Sequence, residues 1–560
     1  MKQNQVIKVQ TNESIISKLK NAFTSPGCVL SEAMQNARRA GASKVEFSYL
    51  DEDALLIVDD GQGISDLADF LTLAGSGWSE EVIQKEGAFG MGSFSMLYYC
   101  DRLRVESNGY GFEAYTQDIL NGLEISVFQS DVTSGTRIAL YGYEISDENN
   151  ASRIELLLKR LAKGFSIPVF YDGAELDRPY SLDKGEVEFI ETSIGFCAMS
   201  DFDDDTLIGK SGLYYRDYGT DVTYLFYQGL PVDSIWGREI SNRDCPGNII
   251  HLDELQFDVR MPDRDVLIDQ AVQSGKIETV LKELWRKKFI ELKGILEPAM
   301  FASKFQRALK SWECLDLLND MDVLPDGVLF TVSSLPENDS YSRYDYTSSI
   351  NGMTRQKLES IGQKIVFFNN DHGYDYFRPH QYAYHREVLC ADMGSLSMLH
   401  KDHWIHEWLF EIEDEDLTIT VNKPGKEGHY SGYGCFDYQT CESLVINGPM
   451  GEVTVQNDCF AVNEDFMFIP SGALNGSNIR IICNYIDSND QFDESGCNYD
   501  IEQFQALLYS LNQSVEMGVL SMLRTSGLSQ FSLQGRQLQV TFNENGVPEK
   551  VTLSELDNAA

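Results

Sequence analysis

The chain has 560 residues, a formal charge of -42, and 42% hydrophobic and 24% charged residues. That length exceeds what one hydrophobic core serves, so roughly three or four domains are expected, and the composition excludes wholesale disorder. The acidity disfavours nucleic acid and anionic membrane surfaces as partners, because affinity for polyanions comes from Lys and Arg displacing counterions.

Eleven cysteines, scattered from Cys28 to Cys497 without a CxxC pair, fit a reducing compartment better than a disulfide scaffold. The opening MKQNQVIKVQ has no apolar signal core. No run approaches the roughly 18 apolar residues a membrane helix needs. A cytoplasmic protein is expected.

In chain order, ESIISKLKNAFT (13–24) and LSEAMQNARRA carry apolar residues at helical spacing, the second stopped by Gly41. Strands KVEFSYL and ALLIVDD follow, then a helix over ISDLADFLTLA, then the glycine-rich KEGAFGMGSFSM running into a helix over SFSMLYYC. From 102 to 142, RLRVES, GFEAYTQ, LEISVFQ and TRIALYG read as strands between Gly or Asn turns. A helix, SRIELLLKRLAKGF, and a strand, IPVFYDG, lead to a boundary near 180. VTYLFYQGLPV and the helix IETVLKELWRKKFIELKGIL suggest a second α/β domain, and the chain then turns aromatic and β-rich. The expected fold class is α+β, with domains at 1–180, 181–300 and 301–560.

Within LSEAMQNARRAG, Glu32 and Asn36 stand four apart and share a side of the helix. A carboxylate there can act as general base and an amide oxygen can ligate Mg2+; alone, the pair is an ordinary solvated helix face. VDDGQGI ends a strand in Asp59, followed by Gly61 and Gly63. Such glycines admit a planar ligand and such a carboxylate accepts from an exocyclic amine, although a tight acidic turn has the same spelling. Gly87, Gly90 and Gly92 can fold a loop with inward amides ahead of a helix whose N-terminus favours phosphate, with Ser93 and Ser95 keeping that start open. GxxGxG by itself is common in flexible turns. These three signals and a later SGT before a strand occur in sequence, and their order makes them informative together.

The set resembles the GHKL ATPase superfamily, and within it the ninety-kilodalton heat-shock chaperones: LAGSGWS precedes EGAFGMGSFSMLYYCDRLRVES, and GTRIALY follows. The resemblance covers about residues 1 to 170 and extends weakly to about 300. It implies an N-terminal Bergerat fold, with helices on one face of a mixed sheet and ATP between them. By motif position it makes Glu32 the general base and Asn36 the Mg2+ ligand. Asp59 reads the adenine amino group, Gly61 and Gly63 shape its pocket, and Thr136 joins that end through its hydroxyl. Gly87, Phe89, Gly90, Met91, Gly92 and Ser93 belong to a lid over the phosphates.

Arg39 stands where the family often carries an Asp, and is placed to touch phosphate or to pair with Asp59 or Asp60. Family members follow the ATPase domain with a transducer domain that lends a cation to the γ-phosphate. FDVRMPDRDVLID offers Arg260 and Arg264 for this, with Arg264 preferred.

The function this implies is an Mg2+-ATP-driven conformational clamp that acts on a protein client and dimerises with nucleotide. A MutL- or topoisomerase-like nucleic-acid ATPase is one alternative, which the charge disfavours. An ATP sensor with little hydrolysis is another, kept open by Arg39. A histidine kinase ranks last, because no histidine precedes the motifs. Divergent GHKL proteins also occur on phages, plasmids and defence loci. Outside these motifs, HKDHWIH spaces His400, His403 and His406 by three, as a shared metal or aromatic packing would require.

Overall fold

The structure is a computed structural model that describes residues 20–23, 25–50, 54–73, 92–145, 149–199, 223–232, 247–261, 264–338, 346–368, 377–486, 491–525 and 533–555. Strands and helices both run through it in several mixed sheets, an α+β fold. Two compact units divide the chain, Met1–Glu291 and Leu292–Ala560.

In the first unit, β1 (Val45–Leu50) and β2 (Ala54–Asp59) form an antiparallel pair, Val45 opposite Asp59. β3 (Arg102–Ser107), β4 (Tyr110–Tyr115), β5 (Val127–Gln129), β6 (Thr136–Tyr141), β7 (Val169–Tyr171) and β8 (Ala174–Glu175) complete an eight-stranded sheet in the order β5-β4-β3-β6-β2-β1-β7-β8. The β1–β7 pair is parallel, so the sheet is mixed. Alternate residues such as Phe47, Leu55, Ile57, Val105, Ile138 and Leu140 join one buried cluster. Helices Cys28–Arg39, Gly92–Tyr99 and Asn150–Ala162 supply its other side with Val29, Leu30, Met34, Leu97 and Leu158. Burying each such side chain stabilises by about 1.5–3 kcal/mol, and a one-residue slip would turn a strand's whole set outward.

The change expected near 180 is a change of sheet within this unit. β9 (Ile190–Thr192), β10 (Gly195–Ala198), β11 (Thr223–Tyr227), β12 (Leu230–Val232) and β13 (Asn248–Leu252) make a five-stranded sheet in the order β12-β11-β13-β10-β9. Gln228 and Gly229, at φ +53° and +79°, form the left-handed two-residue turn that suits a tight hairpin between β11 and β12. Leu230, just beyond the turn, belongs to the same core cluster as the nucleotide-motif helix. The long helix Gln270–Ile295 buries Ile277, Leu281, Trp285 and Phe289 at four-residue intervals, and Trp285 Nε1 donates to Asn248 Oδ1 at 3.1 Å.

The second unit holds a five-stranded sheet within residues 329–411, three- and four-stranded sheets within 418–470, helices Glu494–Asn512 and Val515–Thr525, and a hairpin of Arg536–Phe542 with Pro548–Glu555. Two sequence-expected elements come out shorter. ISDLADFLTLA forms a helix only over Leu67–Phe70, capped by Asp66, and LEISVFQ forms a strand only over Val127–Gln129. The helix expected at 13–24 falls mostly outside the described residues. Among those described, no helix is long and apolar enough to cross a membrane.

Candidate nucleotide site

Helix Cys28–Arg39 is buried almost all round. Beyond its apolar face, Ser31, Glu32 and Gln35 are also buried. An acid in that position needs a partner, because an unpaired buried charge is costly. The partner comes from 232 residues away: Arg264 Nη1 donates to Glu32 Oε1 at 3.1 Å, with the two residues 3% and 4% exposed.

Arg264 reaches inward from a tight loop in which its amide donates to the Arg260 carbonyl and the Arg260 amide to the Val266 carbonyl, both at 2.8 Å. Its backbone is left-handed, at φ +56°, which costs a non-glycine residue about 1–2 kcal/mol. The Arg264 Nε is buried and has no hydrogen-bond partner among the described residues. Arg260, in contrast, lies exposed and is spent on the Asp265 carboxylate at 2.7 and 2.8 Å.

The third element at this point is Gly92, the first residue of helix Gly92–Tyr99. A Cβ there would collide with the Glu32 carboxylate, so the helix begins with glycine because the acid lies against it. An acid, a cation and a bare helix start thus meet.

Asp59 ends β2 directly opposite Thr136 on β6. Burial raises its carboxyl pKa above the usual range, against bonds from the Gly61 amide, at 2.9 Å, and the Thr136 hydroxyl. Around it the backbone is close-packed where the motif has glycine. A Cβ on Gly135, at φ +71°, would strike the Asp59 carbonyl, and one on Gly63, at φ +73°, would crowd Ser107, Asn108 and Gly135. Gly61 is similarly confined by Ala40.

Sequence reasoning missed Ser107 and Asn108. The buried Ser107 hydroxyl donates to the Gly135 carbonyl at 2.6 Å and accepts from the Ile64 amide at 2.8 Å, while Asn108 Nδ2 donates to the carbonyls of Gln62 and Ile64. Together they fix the DxGxG turn to the SGT turn. In RLRVESNG they look like a strand end and a turn, and only tertiary pairing reveals the role.

The remaining expected residues divide. Asn36 is half-buried, and its carboxamide makes no hydrogen bond among the described residues. Among the described residues, the contacts of Asp59 and Asp60 come from groups other than Arg39. Burial would raise the Asp60 pKa, but the Ser43 hydroxyl and the amides of Lys44 and Ser43 claim the carboxylate and hold it below its ordinary value. Burial raises the pKa of the nearby Tyr227 hydroxyl, with Glu254 adding and Arg264 and Arg39 opposing. Ser95 does not line an opening: it is fully buried, and its hydroxyl donates to the Gly92 carbonyl at 2.6 Å. Ser93 is half-buried at the helix start. Gly87, Phe89, Gly90 and Met91 lie outside the described residues.

In the second unit the histidine series is structural. His403 Nδ1 accepts from the Ile405 amide at 3.2 Å, His406 Nε2 meets the His400 carbonyl at 3.1 Å, and His400 Nδ1 meets Asn319 at 3.2 Å. Burial, with His406 adding, pushes His403 down to about 4. Among the described residues no group of three His, Cys, Asp or Glu is arranged to hold a metal ion. The same unit buries Asp500 completely. Its carboxylate accepts from the hydroxyls of Tyr430 and Tyr485, at 2.9 and 3.0 Å, and from the amides of Tyr433 and Gly434, at 3.0 and 2.8 Å.

No protein-family model matches the chain, and no curated protein matches it.

Proposed function

We propose that the first unit binds Mg2+-ATP between helix Cys28–Arg39 and the eight-stranded sheet, and that the protein hydrolyses it slowly as a conformational clamp of the GHKL type acting on a protein partner. The observation that carries this reading is the buried Glu32–Arg264 pair beside Gly92. Glu32, Arg264 and Gly92 come from three separated stretches of the chain and lie against one another, which supports reading them as a base, a phosphate donor and an open helix start.

The residues suit the nucleotide. Asp59, next to Thr136, offers a carboxylate acceptor for the amino group of the base, and Gly61, Gly63 and Gly135 keep the surrounding backbone close. Asn36 would hold Mg2+ through its amide oxygen, which suits an ion that takes few protein ligands and fills its shell with water and phosphate oxygens. When bound, that ion would draw charge from the phosphate oxygens.

Glu32 would take a proton from the attacking water once Arg264 has exchanged it for the terminal phosphate. Arg264 keeps its unused Nε–H for that anion and would stabilise charge developing on it. A carboxylate occupied by arginine is a poor base, so resting turnover is slow.

Calorimetry with Mg2+-ADP tests binding, and a turnover assay on Glu32→Ala tests the chemistry. Nucleotide heat is expected from both proteins, with turnover falling about 10²- to 10⁴-fold in the variant. Folded wild type that gives no heat overturns the reading. The Glu32–Arg264 contact also favours a second reading, an ATP sensor; equal turnover in wild type and Glu32→Ala would select it. Dimerisation is read from the mass in solution with a non-hydrolysable ATP analogue, where doubling supports the clamp.

A further inference from the structure

Gln35 is wholly buried, lies between Glu32 and Asn36 on the same helix, and uses both ends of its amide. Its Oε1 accepts from Arg38 Nε and Nη2 at 3.0 and 2.9 Å. A guanidinium only donates, so this bond fixes which way the amide points. Nε2 is thereby aimed at the Gln228 carbonyl, 193 residues on, to which it donates at 3.0 Å.

That carbonyl belongs to the left-handed turn joining β11 to β12. β11 runs parallel to β13, residue by residue from Thr223 with Asn248 to Tyr227 with Leu252. β13 leads into the loop that carries Arg264. Among the described residues the helix is fastened to the second sheet through Gln35 and to the loop after it through Glu32 and Arg264. Only the latter must open when Arg264 turns to phosphate.

We propose, building on the ATPase reading above, that Gln35 is a positioning residue: it keeps the second sheet in register with the helix while Arg264 exchanges Glu32 for the terminal phosphate. It touches no reacting atom. Its contribution is accuracy, since a misplacement of about 1 Å at a remote support can cost about 10²-fold in rate.

The test uses the full chain with Gln35→Glu, which keeps the volume and the Arg38 contact but sets a carboxylate against the Gln228 carbonyl. Gln35→Met, neutral and similar in size, accompanies it in case the charge prevents folding. Three quantities are read: kcat against KM for ATP, Mg2+-ADP heat, and amide exchange across residues 247–268. The expected result is a kcat lowered about 10- to 100-fold, KM and ADP affinity within about twofold, and faster exchange in 247–268 with β1 and β2 unchanged.

Wild-type kcat and exchange in both variants would overturn the proposal. So would kcat, ADP affinity and unfolding midpoint all falling together, the sign of a merely structural amide. Absence of ADP heat from the wild type sinks the ATPase reading instead, and faster exchange in 247–268 would then still support the register role of Gln35.

Discussion

Two buried carboxylates, one in each unit, have opposite surroundings. Asp500 accepts four hydrogen bonds, all from neutral donors on nearby segments of its own unit. Glu32 has one charged partner, delivered by a strained loop far along the chain, and a helix start pressed against its other oxygen. A carboxylate saturated by fixed dipoles is held for good. One held by a single cation can be released when an anion competes for that cation. Burial alone does not distinguish the two acids; the number and charge of their partners does.

The largest expected effect lies on the structural side. Asp500→Ala leaves two phenol hydroxyls and two amides without an acceptor and should cost the second unit about 3–5 kcal/mol in denaturant unfolding, with ADP heat unchanged. Lost nucleotide binding would erase the contrast. Arg264→Met should lower kcat by about 10²- to 10³-fold while ADP still binds, and a kcat left intact would make the Glu32 pair as structural as the Asp500 cluster.

Next comes His403, held down to about 4 from 6.5 by burial. The unfolded chain takes up a proton that the folded one refuses, so stability of the second unit is lost as pH falls from about 6.5 toward 4, by at most about 3 kcal/mol. Melting curves across that range, flattened by His403→Gln, check it.

The smallest effect belongs to Asp59, whose pKa is raised by burial. Its protonated form favours the folded state, a contribution present at low pH and lost as pH rises through the raised value. The ionised form accepts from the base more strongly than the protonated form, so ADP affinity should weaken a few-fold as pH falls through the same value. Calorimetry against pH reads this, and Asp59→Asn should flatten it.

Local pattern carried much of the fold. Val45–Leu50, Ala54–Asp59 and Thr136–Tyr141 are short β-prone segments bounded by polar or glycine turns, which was enough to place them from sequence, and the stripe in Gln270–Ile295 is a regular apolar repeat. Where competing local bonds exist, pattern misled. Asp66 caps the Ala68 amide and Thr72 bonds back to the Ala68 carbonyl, so the helix expected through ISDLADFLTLA covers one turn. In the candidate site, Glu32, Asp59 and Thr136 were singled out by short motifs taken in order, and the structure places Asp59 opposite Thr136 and Glu32 against Arg264. Arg264 needed the resemblance to stand out from Arg260. Gln35, Ser107 and Asn108 were invisible, since each acquires its role from a carbonyl or hydroxyl distant in sequence. The histidine spacing left metal and packing open with packing preferred, and turn-capping and carbonyl contacts use His403 and His406.

The parallel pairing of β1 with β7 sets Val45 beside Val169, and the sheet ends only at Glu175. Helix Cys28–Arg39 meanwhile finds its polar partners at Gln228 and Arg264. A fragment cut near residue 180 would retain every recognisable motif of the amino-terminal half and yet expose an unneutralised glutamate and an orphaned amide. Recombinant dissection should therefore keep the first compact unit and the whole of the long helix, and cut just past Ile295.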